Sequence, residues 1–412
     1  MTGSDGIYQL HWPEFAIKAK VDRLKSNSEH EVKGEVTFTS QNMASQGHLR
    51  QSRVNLSSTA AKNALVKSLS ERVSSDDVPW DTIVEQLCVA VLREFRQGPP
   101  LLTIEGDMDV EAVDKWLIEP ILQLGHPTLV YGKGSSGKSW FGQYISVLAD
   151  AGVSINGLRV EPSRVLYLDW ETTDKELGSR VTMIRRGMGL DGKSSIKYRE
   201  MSQGLYADIE TVRNHVQEHE IDLVIMDSLG AACMGEPESA EVVLRMFQCL
   251  RSLRVTSLCI DHSNKEGSLF GSVYKFNSGR QIFECLKAQD EDATHLDFGL
   301  FHRKASNSKL IRPLGFKIQF NEGSVDISRR DIKDTALESE MTVAERIANA
   351  LSSGAKSPKE LAELLDKQDN HIRQELLKGK QKGRFFELGN GTYGLAFHQQ
   401  TVEAAWHNEV VI

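Results

Sequence analysis

The stretch GKGSSGKSW, residues 132–140, sets glycine, lysine and hydroxyl groups at the spacing that can hold a chain of phosphates. Gly132, Gly137, Lys138 and Ser139 fill every fixed position of the pattern G-x-x-x-x-G-K-[ST]. The apolar run Thr128-Leu129-Val130-Tyr131 precedes it and the helix-like FGQYISVLADAG follows. Glycines let successive backbone N–H groups turn toward an anion, and the following helix points its partial positive end at the same place. Lys138 adds a mobile ammonium for the terminal phosphates, and Ser139 a hydroxyl for Mg2+. The expected nucleotide-binding set is Gly132, Gly134, Ser135, Ser136, Gly137, Lys138, Ser139 and Trp140, holding a nucleoside triphosphate with Mg2+. The bland alternative is a glycine-rich turn without a ligand.

Three further strand-like runs end in polar groups. IDLVIMDSLG ends in Asp227, where a phosphate-bound Mg2+ needs a carboxylate, so Asp227 and Ser139 form the expected metal pair. RVLYLDWETTDKEL offers Asp169 and Glu171, which alternate across a pleat, so one of them should face the phosphates and orient the attacking water. The other would cap the next helix. CIDHSNKEG ends in Asp261, His262 and Asn264, and His262 is placed to sense the terminal phosphate.

These groups need a scaffold that brings several strand ends together. At 412 residues the chain exceeds one ordinary core, and its 40% hydrophobic and 26% charged residues read as globular. The expected layout is a small α+β domain over 1–98, a linker over 99–113, an α/β core over 114–334, a linker over 335–340, a C-terminal domain over 341–398 and a tail over 399–412. In the core, short apolar strands alternate with helical segments, which argues for a mostly parallel sheet, with HLDFGLFHR and PLGFKIQF as an added antiparallel hairpin. Residues 341–398 read as three helices and a hairpin centred on Asn390-Gly391, the order of a winged helix.

The longest apolar runs, such as LCVAVL, are too short to span a bilayer, so the expectation is a cytoplasmic protein with no membrane partner. The five cysteines lack metal-ligand spacing. A formal net charge of −8 argues against coating nucleic acid by bulk charge but not against a local basic groove.

The set GKGSSGKS, LYLDWE, VIMD, DHSNK, GSVYKFNSGR and HRKASN resembles the RepA-like branch of RecA/DnaB-type hexameric ATPases, replication helicases of plasmids and phages. The resemblance covers roughly residues 114–325. It implies a RecA-like P-loop fold in which Lys138 and Ser139 bind phosphate and Mg2+, Glu171 is the catalytic glutamate, Asp227 the Walker B acid and His262 the sensor. It further implies that the nucleotide is ATP and that Arg280 is an arginine finger inserted into a neighbour's site, with Lys304, a further nucleotide-binding residue, and Asn307 near the same interface. Catalysis would then rest on Lys138, Glu171, His262 and Arg280, in a homo-oligomer of six subunits in a ring. The partners implied are single-stranded DNA in the channel, duplex DNA at the winged helix, whose Lys367, Arg373, Lys378, Lys380, Lys382 and Arg384 outnumber nearby acids, and replication proteins. The rival readings are a RecA-like ATPase that switches or loads without unwinding, and a transcription regulator with a nucleotide-sensing domain.

Overall fold

The computed structural model describes residues 2–4, 6–40, 47–73, 78–98, 101, 103, 115–236, 238–264, 267–271, 273–289, 293–306 and 308–395. The chain divides into two compact units, Met1–Met108 and Asp109–Ile412.

The first unit is a five-stranded antiparallel sheet in sequence order, β1 (Thr2–Ser4), β2 (Ile7–Trp12), β3 (Ile17–Ser26), β4 (Val32–Ser40) and β5 (His48–Asn55). Its strands alternate buried and solvated residues, most plainly in β4, where Val36 and Phe38 are fully buried between the partly exposed Glu35, Thr37 and Thr39. Helices α1 (Thr59–Ser70) and α2 (Trp80–Gln97) close that face, with Leu65, Leu69, Ile83, Leu87 and Val91 in the shared core and Trp80 edge-on to Phe38.

The second unit is built on a nine-stranded sheet. Before it lie β6 (Trp116–Glu119) and β7 (Leu122–Gln123), which with β9 (Arg159–Val160) make a small separate sheet. The large sheet runs through β8 (Pro127–Gly132), β10 (Val165–Asp169), β11 (Lys197–Glu200), β12 (Leu223–Asp227), β13 (Thr256–His262), β14 (Gln281–Ala288), β15 (His295–Ala305), β16 (Leu314–Asn321) and β17 (Ser324–Arg329). Its spatial order is β11-β10-β12-β13-β8-β14-β15-β16-β17. The first six strands are parallel and the last three antiparallel. The expected hairpin of β15 and β16 is present, and β17 extends it.

Every residue of β8, β10 and β12 is buried, as parallel strands covered on both faces must be. Val165, Tyr167 and Ile225 pack with α3 (Lys138–Ala151) and α4 (Asp174–Gly187). Leu166, Leu168, Val224 and Met226 face α5 (Leu205–Glu218), α6 (Leu229–Cys233) and α7 (Ala240–Ser252). A short helix, α8 (Val273–Ser278), lies between β13 and β14. This is an α/β core, in which the phosphate-loop strand β8 sits inside the sheet and chain reversals in strand order open a crevice at the carboxyl ends.

Helices α9 (Val343–Ser352), α10 (Pro358–Leu365) and α11 (Asp369–Gln381) follow, then the hairpin β18 (Phe385–Glu387) and β19 (Tyr393–Leu395). Thr342 with Glu345 and Ser357 with Glu360 form capping boxes that start α9 and α10. Ile347, Leu351, Leu361, Leu365, Ile372, Leu376, Phe385 and Leu395 make a separate core. The tail over 399–412 and all of the expected 99–113 linker except Leu101 and Thr103 lie outside the described residues.

Candidate nucleotide site

The loop between β8 and α3 takes its shape from its glycines. A Cβ on Gly132 would stand 2.2 Å from the Cys285 carbonyl oxygen of β14, and Gly137 has φ +90° and caps α3. Ser135 also adopts a positive φ of 55°, and nothing lies within 4 Å of where a Cβ on Gly134 would stand, so the loop is tight beneath and open above. At Lys138, Ser139 and Trp140 the first-turn N–H groups of α3 lack intrahelical partners by helix geometry. The indole of Trp140 packs edge-on to Phe320 beneath the Arg180 guanidinium, so what Trp140 offers the loop is its backbone.

Lys138 is 5% exposed, and its ammonium donates to the Gly132 carbonyl (2.9 Å), the Lys133 carbonyl (2.7 Å) and the Ser136 hydroxyl (3.4 Å). Burial lowers its pKa against the pull of surrounding carboxylates. Ser136 is held in turn by the Cys285 thiol, which donates to its carbonyl at 3.3 Å. A phosphate offers Lys138 a charged acceptor where the loop offers neutral ones, so the ammonium can transfer to it.

Asp227 ends β12 beside Asp169 at the end of β10. Asp227 accepts a hydrogen bond from the Tyr167 hydroxyl at 2.9 Å. Burial pushes its carboxyl up to about 6, although Ser139 and Tyr167 hydrogen-bond to it, and Glu171 and Asp169 push in the same direction as burial. Oxygen donors gathered in this way, a buried carboxylate with raised proton affinity beside a hydroxyl, suit a hard divalent cation. Ser139 and Asp227 therefore fit Mg2+, and the loop N–H groups with Lys138 fit a triphosphate; a bound cation there would neutralise phosphate charge.

Glu171 and Asp169 divide their work differently from a pleated strand. β10 stops at Asp169, so Glu171 lies in the turn beyond it. The Asp169 carboxylate accepts the N–H groups of Glu171 (2.9 Å) and Thr172 (3.0 Å) and the Thr172 hydroxyl, which curls the turn and presents Glu171. Asp169 is thus the capping member of the pair. Glu171 Oε1 lies 3.2 Å from His262 Nε2. That contact, with further help from Ser228 and Lys138, holds the Glu171 carboxyl at about 2 and raises the pKa of His262. His262 itself pairs in register with Gly132, and the next N–H, of Ser263, donates to the Gly132 carbonyl at 3.0 Å. Asn264 turns the following loop by accepting the Ser268 N–H.

Lys138, Ser139, Glu171, Asp227 and His262 therefore meet at the carboxyl ends of β8, β10, β12 and β13. Arg280 and Lys304 do not join them. The Arg280 N–H donates to the Pro127 carbonyl at the opposite end of β8, and Lys304 pairs with Ile282, which pairs with Leu129. Five residue steps along β8 separate Pro127 from Gly132, about 16 Å, beyond the reach of the Arg280 side chain to its own phosphate loop. The Lys304 ammonium is instead engaged by the carbonyls of Phe276, Asn277 and Gly279 at the end of α8. Asn307 lies outside the described residues.

Three groups escaped the sequence reading. Tyr167 could have been found from its place two residues before Asp169 on the same strand face. Ser228 adjoins Asp227. Lys275, fully buried on Asp261 at 2.7 Å, gave no signal, because lysine is ordinarily solvated.

The AAA domain family model AAA_25 matches residues 94–268, less than half of the chain. No curated protein matches the chain. Among solved structures, a KaiC-like protein from the hyperthermophilic archaeon Pyrococcus horikoshii is similar at 16% identity and a TM-score of 0.38, over 51% of this chain and 93% of that one. No described helix is long and apolar enough to cross a membrane. The second unit therefore carries a P-loop core on a mostly parallel sheet, similar to AAA domains over the matched stretch.

Proposed function

We propose that the chain is an ATP-hydrolysing subunit of a head-to-tail ring that moves on DNA, a replicative helicase of a mobile element, with single-stranded DNA in its channel. The charge layout of one sheet carries this reading. At the carboxyl ends, burial first, with Glu171 and Asp169 adding to it, raises the pKa of Asp227. At the amino end of β8, burial first and then Arg280 lower the pKa of both His126 and Lys304. One end therefore repels further carboxylates, the other further cations, and head-to-tail closure sets one against the other.

Within a subunit, Lys138 and the loop N–H groups hold the terminal phosphates. A Glu171 carboxyl near 2 is a weak base, so its part is to orient the attacking water, which phosphoryl transfer needs more than proton abstraction. A terminal phosphate within reach of His262 competes with Glu171 for its N–H, and freeing Glu171 would raise the carboxylate's basicity. Arg280 of a neighbour supplies the transition-state charge.

The test is complementation. Arg280→Ala should bind ATP normally and lose on the order of 10³ in turnover. Mixing it with Lys138→Ala subunits should restore activity, because some interfaces pair an intact loop with an intact finger. Full activity of Arg280→Ala alone overturns the reading. Strand displacement on a forked duplex tests the motor, and ATP turnover without displacement favours a switch or loader.

A second reading applies to the C-terminal helices. Arg373, Lys378 and Lys380 pair with Asp369, Glu375 and Glu387, while Leu364, Leu377, Phe386 and Leu388 are exposed. That surface suits a protein partner such as another replication factor as well as a duplex at a winged helix. Removing residues 341–412 should leave hydrolysis intact; unchanged duplex affinity at low salt assigns the segment to protein contact.

A further inference from the structure

Asp261 and Lys275 form an ion pair at 2.7 Å with side-chain exposures of 1% and 0%. A pair so deeply buried is weak evidence for stability, because desolvation offsets the attraction and apolar residues of like volume do as well. What such a pair supplies is a unique alignment. Its two ends are informative. Asp261 precedes His262 on β13, and its other carboxylate oxygen accepts the His262 N–H at 2.9 Å, so Asp261 fixes the backbone that carries the sensor. Lys275 lies in α8, two residues beyond Val273, and that helix leads through Gly279 directly into Arg280. The far end of the same segment is pinned by the Lys304 ammonium on three carbonyls, by the Arg280 N–H on Pro127 and by the Ser306 N–H on the Arg280 carbonyl.

We propose that the Asp261–Lys275 pair is a positioning element that joins His262, which serves the subunit's own site, and the segment delivering Arg280, which serves the neighbour's, into one body. The proposal rests on the reading of Arg280 as a finger. Neither residue touches nucleotide; each acts through the group it aligns.

Lys275→Met with Asp261→Asn removes both charges and leaves no orphan ion in the core. In the full-length assembled protein, kcat should fall about tenfold, the size residues of this kind carry, with ATP affinity unchanged. Asp261→Glu keeps a paired charge and adds one methylene, so it guards against a double variant that does not fold; it too should lower kcat at unchanged affinity. Because both duties fail together, mixing the double variant with Lys138→Ala or with Arg280→Ala subunits should restore nothing. Wild-type kcat in either variant overturns the proposal, and so does recovery in either mixture, which would confine the pair to one duty. If Arg280→Ala alone is fully active, the finger reading has failed instead.

Discussion

The two ends of the central sheet are built from the same strands but hold charge in opposite ways. At the carboxyl ends, Asp227, Glu171 and Asp261 act on Lys138, Asp261 also pairs with Lys275, and burial leaves Asp227 with a proton affinity above that of an ordinary carboxylate. At the amino end, the Lys304 ammonium has its donors satisfied by three carbonyls of α8. The acidic end thus suits a hard cation, whereas the lysine of the cationic end serves the fold beside an exposed Arg280. The variants that follow separate an end held in tension from an end at rest.

The largest effect should come from Glu171→Gln, which keeps the hydrogen-bonding shape and removes the charge proposed to orient water. Turnover should fall on the order of 10³ while nucleotide binding persists, measured by single-turnover hydrolysis alongside equilibrium binding. Lys138→Ala should instead abolish binding, and equal loss of binding in both would dissolve the distinction between the two residues.

Asp227→Asn tests the tension directly. The folded-state pKa of Asp227 lies above its ordinary value of 3.8, at about 6, so the ionised group opposes folding at neutral pH and the fold gains stability as pH falls toward 4. The gap corresponds to about 3 kcal/mol as an upper figure. The nucleotide-free variant should therefore unfold at higher denaturant concentration than the wild type while losing Mg2+-dependent hydrolysis. A destabilised variant would mean that the carboxylate is at rest after all.

The pH profile gives the next effect. Protonation of Asp227 competes with Mg2+, so hydrolysis should fall about tenfold per pH unit below about pH 6 and recover with added Mg2+. The Glu171–His262 contact has the opposite sense: raised in pKa by Glu171, His262 is charged below that pKa and loses its charge as pH rises through it. Excess Mg2+ that failed to shift the acid limb would assign the limb to another group.

The smallest effect belongs to the end at rest. Lys304→Met keeps the stem and removes the cap on α8, which should cost about 1 kcal/mol of stability, read from thermal unfolding. A loss of nucleotide binding larger than the loss of stability would bring Lys304 back into the site.

The site was legible in the sequence wherever function is written as a local pattern. The glycine spacing, Lys138 and Ser139 lie within one short stretch, and Asp227 and His262 end apolar runs that the parallel sheet makes adjacent. Glu171 was legible as a candidate but not for the reason first given, since the capping of the turn by Asp169, rather than pleat alternation, aims it. The place of Arg280 was not legible, because it depends on β14 inserting beside β8 with Gln281 opposite Thr128, a pairing between distant segments. β11, only four residues long and partly solvated, gave no clear apolar run.

The insertion of β14 has a mechanical consequence. One end of this strand meets the phosphate loop, through the Cys285 carbonyl beneath Gly132, and the other begins at Arg280, tied to Pro127. Backbone hydrogen bonds along β8 and β14 make the span between the phosphate loop and Arg280 a gauge of fixed length. In a ring built on Arg280, that length cannot stretch during a cycle of turnover. Subunits would have to pivot on one another as stiff links in a chain, so any working stroke is set by the joints between copies and not by give within each one.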